Sequence, residues 1–86
     1  MASYKVEVNK SASRDIRGID RKWVPKILLA VEALGTDPRP VGCLKLVGSE
    51  YTYRIRVGDY RVIYELHDHM LIILVVRIRH RGDAYR

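Results

Sequence analysis

Alternating and helical patterns of apolar residues organise the first half of the chain. Residues 4–8 alternate apolar and polar side chains, which predicts a strand. A short helix is predicted to follow, and Gly18 ends it. Apolar residues then recur at three- and four-residue spacing over residues 24–34, which predicts a second helix with one apolar face. Pro25 either occupies the first position of this helix or kinks it, and Gly35 is a suitable residue for its C-terminal end.

The second half of the chain has the pattern of strands. Residues 51–57 and 60–66 alternate on either side of Gly58-Asp59, which predicts a two-residue hairpin turn because glycine tolerates positive φ. Residues 70–78 are almost all apolar and β-branched, as in a strand buried on both faces. The predicted order is β-α-α-β-β-β. It describes one α+β domain over residues 1–86, with two N-terminal helices packed on one face of a small antiparallel sheet.

The predicted hairpin gathers arginines on one face. With a two-residue turn, Arg56 faces Arg61 and Arg54 faces Ile63, and directly opposed residues share a face. Arg54, Arg56 and Arg61 therefore lie on one side, with Glu65 as the only acidic residue there. Like charges directly opposite each other destabilise a sheet by up to about 1 kcal/mol. The cluster either holds an anion through its guanidinium forks or is a solvated face with counter-ions.

The C-terminal residues extend this basic surface. Arginine beside an aromatic side chain suits phosphate contact combined with base stacking, although a frayed basic terminus has the same composition. The loop near residues 67–70 decides which of these residues join the hairpin arginines. An even-length loop puts Arg61 beside Val76 and on the parity of His80, whereas an odd-length loop or a bulge puts it on the other parity. The residues concerned are Arg77, Arg79, His80, Arg81, Tyr85 and Arg86.

Composition narrows the class of partner. The net charge of +6 on 86 residues favours a polyanionic partner: nucleic acid, the ribosome, a membrane surface or an acidic protein. A solvated basic face is the plain alternative. Cys43 is the single cysteine, so we expect no disulfide and a reducing, cytoplasmic environment. The longest apolar run, residues 70–76, is too short to span a membrane, and the N-terminus has no signal-like apolar core.

Three segments, residues 46–64, 37–40 and 80–86, carry a resemblance to a known family. Together with the element order, they are similar to the RelE/ParE superfamily of bacterial and archaeal toxins from type II toxin–antitoxin operons. RelE-type members are ribosome-dependent endoribonucleases that cut mRNA in the ribosomal A site. The ParE-like branch shares the fold and inhibits DNA gyrase, so the fold alone does not choose between the two activities.

The resemblance also implies roles for individual residues. Arg56, Arg61 and Arg81 would stabilise charge on the phosphate as the 2′-OH attacks, and Tyr85 would stack on or orient the nucleotide. Arg56 stands where related toxins tend to have a lysine, and a guanidinium stays protonated in proteins, so it is a poor base. Protons would then be moved by Tyr85 or by His80, whose plain reading is a surface histidine. The implied RNA-binding residues are Lys45, Arg54, Arg77, Arg79 and Arg86.

Partners follow from the same resemblance. It implies a cognate RelB-like antitoxin with an acidic toxin-binding segment, and the ribosome with its mRNA as target. It implies no metal and no small-molecule cofactor. Besides the RelE-type and ParE-type activities, a non-catalytic RNA- or ribosome-binding module stays open as a third function.

Overall fold

In the computed structural model, which describes residues 3–82, two helices lie against one side of a five-stranded sheet. No helix within these residues is long and apolar enough to cross a lipid bilayer. In chain order the elements are β1 Lys5–Val8, α1 Lys10–Arg17, α2 Val24–Ala33, β2 Leu44–Lys45, β3 Thr52–Val57, β4 Tyr60–His67 and β5 Ile72–His80.

The helix ends follow from local chemistry. The side chain of Asn9 accepts a hydrogen bond from the N–H of Ala12 at 2.8 Å, which satisfies one of the free donors at the start of α1. Pro25 is the second residue of α2, one position later than the first alternative placed it. It still lies in the first turn, where its missing N–H removes no helical hydrogen bond. Gly35 follows the end of α2, and its carbonyl accepts from the N–H of Tyr4 at 2.8 Å. This bond holds the end of α2 against the start of β1.

The sheet order is β1-β5-β4-β3-β2, with β1 parallel to β5 and the other neighbours antiparallel. The predicted fold class is confirmed, and the structure adds two details to it. The sheet is mixed because the chain crosses over through both helices before it returns beside β1. A two-residue strand, β2, extends the sheet beyond the hairpin.

The core lies between the helices and one face of the sheet. Ile27 and Leu34 of α2 pack with Val62, Tyr64 and Ile73 of the inner strands, and all five are essentially inaccessible to solvent. The expectation that residues 70–78 are buried on both faces is wrong. Alternate residues of β5 are only half-buried, because no element covers the second face of the sheet among the described residues. We call this second face the open face.

The hairpin turn requires glycine at its first position. Gly58 has φ of +59°, a conformation that favours glycine. A Cβ atom at this position would also overlap the ring of Trp23. The turn is therefore closed both by its backbone conformation and by a tryptophan from the segment before α2.

Candidate functional site

Three arginines form a row across β3, β4 and β5 on the open face. Arg56 lies directly opposite Arg61, and Arg61 lies directly opposite Arg79. Residues opposed in this way have Cβ atoms roughly 4.5–5.5 Å apart. Arg54 is on the same face of β3, two residues before Arg56. We call Arg56, Arg61 and Arg79 the arginine row.

A β-bulge in β5 brings Arg79 into this row. Ile63 pairs with Arg77 but Tyr64 pairs with Val75, so Val76 is an extra residue on β5. Because side chains alternate along a strand, the extra residue reverses the parity of everything after it. The structure therefore takes the second of the two registers, in which Arg61 shares a face with Arg77 and Arg79.

The arginines at the two ends of the row, and Arg54 beside it, have no carboxylate partner among the described residues. Among residues 3–82, no carboxylate lies within 4.0 Å of the guanidinium groups of Arg54, Arg56 or Arg79. Glu65, the acidic residue expected on this face, is held 3.0 Å from Nε2 of His67. Like charges thus face one another across neighbouring strands, and an anion bound to Arg56 and Arg79 would stabilise this arrangement.

Arg81 is held close to one end of the row. Its N–H donates to the carbonyl of Asp59 at 2.6 Å, which continues the β4–β5 pairing for one step beyond the last strand residue. The backbone of Arg81 therefore lies beside the hairpin turn, two residues after Arg79. Tyr85 and Arg86 lie outside the described residues.

Arg77 is on the same strand, but it is part of a clasp between β5 and α1. Its Nε donates to Oδ2 of Asp15 at 2.9 Å, and the N–H of Ile78 donates to the same oxygen at 2.8 Å. Strand β1 pairs with β5 only as far as Val75, so Asp15 satisfies a backbone donor at an edge that β1 does not reach. Arg77 accordingly has a structural partner that Arg79 lacks.

His80 and Lys45 fall on the other side of the sheet from the row. His80 pairs with Tyr60, and their rings meet edge to face at 5.1 Å. Nδ1 of His80 also accepts from the N–H of Gly82 at 3.2 Å. Lys45 pairs with Tyr53 at the far edge of the sheet. The structure thus separates these two predicted residues from Arg54 and the arginine row.

Comparisons with known proteins agree with this fold. The family described as "ParE toxin of type II toxin-antitoxin system, parDE" matches residues 6–85. The chain belongs to this family of the RelE/ParE superfamily. The superfamily resemblance seen in the sequence is therefore confirmed, and the protein is a type II toxin of the RelE/ParE kind.

Relatives of this RelE/ParE toxin span nearly its whole length. "Putative toxin RelE1" of Methanocaldococcus jannaschii is 30% identical and covers 96% of each chain. "Toxin RelG" of Mycobacterium tuberculosis is 32% identical and covers 96% of this chain and 97% of its own. The toxin is also similar to the archaeal RelE–RelB complex from Pyrococcus horikoshii, with a TM-score of 0.82, 27% identity, and coverage of 93% of this chain and 97% of the other.

A polar network at the other end of the toxin's sheet was missed in the sequence. Asp68 accepts from the hydroxyl of Tyr4 at 2.6 Å and from Nη2 of Arg39 at 2.8 Å. These hydrogen bonds lower the pKa of Asp68. The Nε of Arg39 also donates to the hydroxyl of Tyr53 at 3.4 Å, and the guanidinium lies over the Tyr53 ring. The bonds to Tyr53 and Asp68 raise the pKa of Arg39 further.

A buried tyrosine beside this network secures the same region. Tyr64 has no solvent exposure, and its hydroxyl donates to the carbonyl of Pro38 at 2.7 Å. Burial raises the pKa of Tyr64. In the sequence the segment 37–40 contributes only to the family resemblance, and nothing local signals that Arg39 would reach a turn 29 residues later. Such long-range partners are set by tertiary packing.

Proposed function

We propose that this toxin inhibits translation by cutting mRNA in the ribosomal A site, with the arginine row holding the scissile phosphate. The observation that carries the proposal is the alignment of Arg56, Arg61 and Arg79 across three neighbouring strands of the open face. A planar guanidinium binds phosphate oxygens through two parallel hydrogen bonds, so adjacent arginines suit a phosphodiester. The name of the relative RelE1 and the fold shared with RelE in its complex with RelB support the RelE-type activity.

In the proposed reaction the 2′-OH of one nucleotide attacks the phosphorus that links it to the next. The 2′-OH loses its proton, the bond to the 5′-oxygen breaks, and that oxygen leaves with a proton as a 5′-OH. The other product carries a cyclic phosphate. The row, assisted by Arg81, would stabilise the charge that develops on the non-bridging oxygens.

Proton transfer needs a group other than the row, because arginine stays protonated. His80 lies on the opposite side of the sheet from Arg61, with its ring against Tyr60. We therefore favour Tyr85 over His80 for handling a proton, in addition to its proposed stacking on the nucleotide. Arg54 and Arg86 would contact neighbouring phosphates, whereas Lys45 would contribute only at the far edge of the sheet.

We further propose that the partner is a RelB-like antitoxin, because several similar solved structures are RelE–RelB complexes. An acidic segment of such a partner would cover the arginine row. The exposed apolar side chains of Leu29, Val41 and Leu44 offer further contacts, and Val41 lines a cleft between α2 and β3. Mixing the two proteins should suppress cleavage, and the suppression should weaken when the acidic residues of the partner are neutralised.

The cleavage proposal is tested by translation of a defined mRNA in vitro, followed by primer extension to find cuts. Wild type should give cuts positioned at codons, and Arg61→Ala should reduce their rate by roughly 100-fold. Arg21→Ala removes the same charge from the exposed turn between the helices and should leave the cuts unchanged. Absence of cuts with wild type, or undiminished cuts with folded Arg61→Ala, would overturn the proposal.

Inhibition of DNA gyrase is a second candidate function, because the matching family is named for ParE. It predicts trapped gyrase–DNA complexes and DNA damage while mRNA stays intact. A third candidate, an RNA- or ribosome-binding module without catalysis, predicts binding that weakens steeply with salt and no cleavage at any concentration. The same primer-extension assay, run beside a gyrase-trapping assay, separates the three.

A further inference from the structure

A second basic surface runs along the exposed side of α1, away from the arginine row. Lys10, Arg14 and Arg17 are exposed, and their spacing of four and three residues places them on one side of the helix. Over the ~1.5 Å rise per residue, they span about 10 Å along the helix axis. We call these three residues the α1 stripe.

The α1 stripe brings like charges close together on one short helix. Lys10 takes the first helical position, where a positive charge opposes the helix dipole, and it lies one turn from the like charge of Arg14. Arg14 and Arg17 lie in the last turn, where positive charge favours the dipole. Among residues 3–82, no carboxylate lies within 4.0 Å of any of the three side chains. Asp15, the single acidic residue of α1, is directed to Arg77 and the N–H of Ile78. The stripe therefore has no structural partner in this part of the chain.

The α1 stripe is joined to the open face around a bare edge of the sheet. Strand β1 pairs with β5 only over residues 72–75, so the last part of β5 has no strand beside it. Arg77, 43% exposed, lies at this edge between Arg79 on the open face and Asp15 on α1. One cleft of about 390 Å³ is lined by Arg14, Tyr60 and His80, and another of about 480 Å³ is lined by Lys10, Arg14 and Arg17. The two clefts share Arg14 and lead from the end of β5 to the stripe, with Asp15 also lining the first of them.

We propose that the α1 stripe is a second anion site that binds the phosphate backbone of an RNA segment other than the one on the arginine row. At the ~3.4 Å axial spacing of one nucleic-acid strand, the length of the stripe matches about three phosphates. The inference rests on the proposed function, since it assumes that the toxin acts on RNA held within a larger RNA assembly. Cleavage would then use the row, and the stripe would fix the toxin on neighbouring structured RNA.

RNA suits the α1 stripe better than an acidic peptide does. Protein partners usually bring apolar anchor residues to the centre of an interface. The strongly exposed apolar residues of this chain lie elsewhere, at Leu29, Val41, Val47 and Met70. Among the residues that the structure describes, Val8, at 38% exposure, is the only exposed large apolar residue that lines the cleft beside the stripe. A charged surface with so little apolar area favours recognition of backbone phosphates.

The test compares salt-dependent binding of three full-length proteins to purified 70S ribosomes and to a short RNA duplex. These are wild type, the triple variant Lys10→Gln/Arg14→Gln/Arg17→Gln, and the control Lys5→Gln/Lys22→Gln/Lys26→Gln, which loses the same charge outside α1. The stripe variant should bind ribosomes at least about 10-fold more weakly near physiological salt, and its slope of log K against log[salt] should fall by about 2–3. The control should keep the wild-type slope.

Equal losses in the stripe variant and the control would overturn the proposal, because they would show only a general charge effect. So would an unchanged slope in the stripe variant, or a loss confined to binding of an acidic antitoxin peptide. If the triple variant does not fold, Arg14→Gln alone should still lower the slope by about 0.7–0.9. If wild type binds ribosomes through the stripe but does not cut mRNA, only the proposed cleavage is overturned. If wild type cuts mRNA and the stripe variant binds ribosomes as tightly as wild type does, only the second site is overturned.

Discussion

Two groups of arginines in this toxin have opposite surroundings. Arg39 and Arg77 each bind a carboxylate from a distant part of the chain, at 2.8 and 2.9 Å. We call these two the anchored arginines. Arg56 and Arg79 belong to the arginine row, and no carboxylate of the described residues lies within 4.0 Å of either guanidinium.

The difference between these groups separates stability from function. An anchored arginine connects elements that are far apart in sequence, as Arg77 connects β5 to α1 through Asp15. The row instead places three positive charges in register on neighbouring strands, and an anion bound to Arg56 and Arg79 would offset the repulsion between like charges. We therefore expect loss of a row arginine to reduce activity and loss of an anchor to reduce stability.

The largest expected effect is the loss of mRNA cleavage in the Arg79→Ala variant, compared with the Arg77→Ala variant. Arg79 is in register with Arg61, so its removal should slow mRNA cleavage by roughly 100-fold with little change in unfolding. Arg77→Ala should lower stability and have a much smaller effect on cleavage when the fraction of folded protein is matched. Primer extension and urea unfolding measure the two effects. Equal cleavage losses for the two variants would remove the distinction between row and anchor.

The next largest effect is a loss of stability when the bonds that Asp15 accepts from Arg77 and Ile78, at the bare edge of β5, are removed. Asp15→Ala should lower the free energy of unfolding by about 1–3 kcal/mol, because the N–H of Ile78 and the guanidinium of Arg77 both lose their acceptor. Asp15→Asn keeps a side-chain oxygen for the N–H of Ile78 and should lose less. Urea unfolding of the three proteins checks this order, and equal stability of Asp15→Ala and wild type would contradict it.

A smaller effect is expected where Tyr64 supports the loop that carries Arg39. Tyr64→Phe removes the buried bond to the carbonyl of Pro38 while keeping the ring, and should lower the free energy of unfolding by about 1 kcal/mol. Tyr51→Phe, at an exposed position, is the matched control and should be neutral. Cleavage by folded Tyr64→Phe should equal that of wild type. A cleavage defect without a stability change would place this end of the sheet in the functional site.

The smallest expected effect concerns pH. The bonds from Tyr4 and Arg39 lower the pKa of Asp68 in the folded protein, so its carboxylate adds stability above the ordinary aspartate pKa of ~3.9. This stability is lost as pH falls through the lower, folded pKa. Asp68→Asn should therefore be less stable than wild type at about pH 6 and lose less stability on acidification. Parallel stability curves for the two proteins would show that the exposed network adds nothing measurable.

Local sequence pattern was sufficient for the elements and for part of the site. Alternation around Gly58-Asp59 placed Arg56 opposite Arg61 and Arg54 opposite Ile63, as the structure has them. Helical spacing placed the apolar face of α2, on which Ile27 and Val31 are buried. These features depend on residues close together in the chain, where side-chain direction follows from the period of the strand or helix.

Tertiary structure decided which residues joined that face. The extra residue Val76 in β5 brought Arg79 into line with Arg61 and left His80 on the other side, a choice that the alternation within one strand cannot make. Because α1 packs beside the uncovered edge of β5, Arg77 binds the carboxylate of Asp15. The parallel pairing of β1 with β5 brings the hydroxyl of Tyr4 to Asp68. The sequence by itself determined the two helices, the four longer strands and one hairpin of arginines. The remaining choices depended on contacts between different elements, such as Arg77 with Asp15 and Tyr4 with Asp68, and a local pattern does not contain the energies of such contacts.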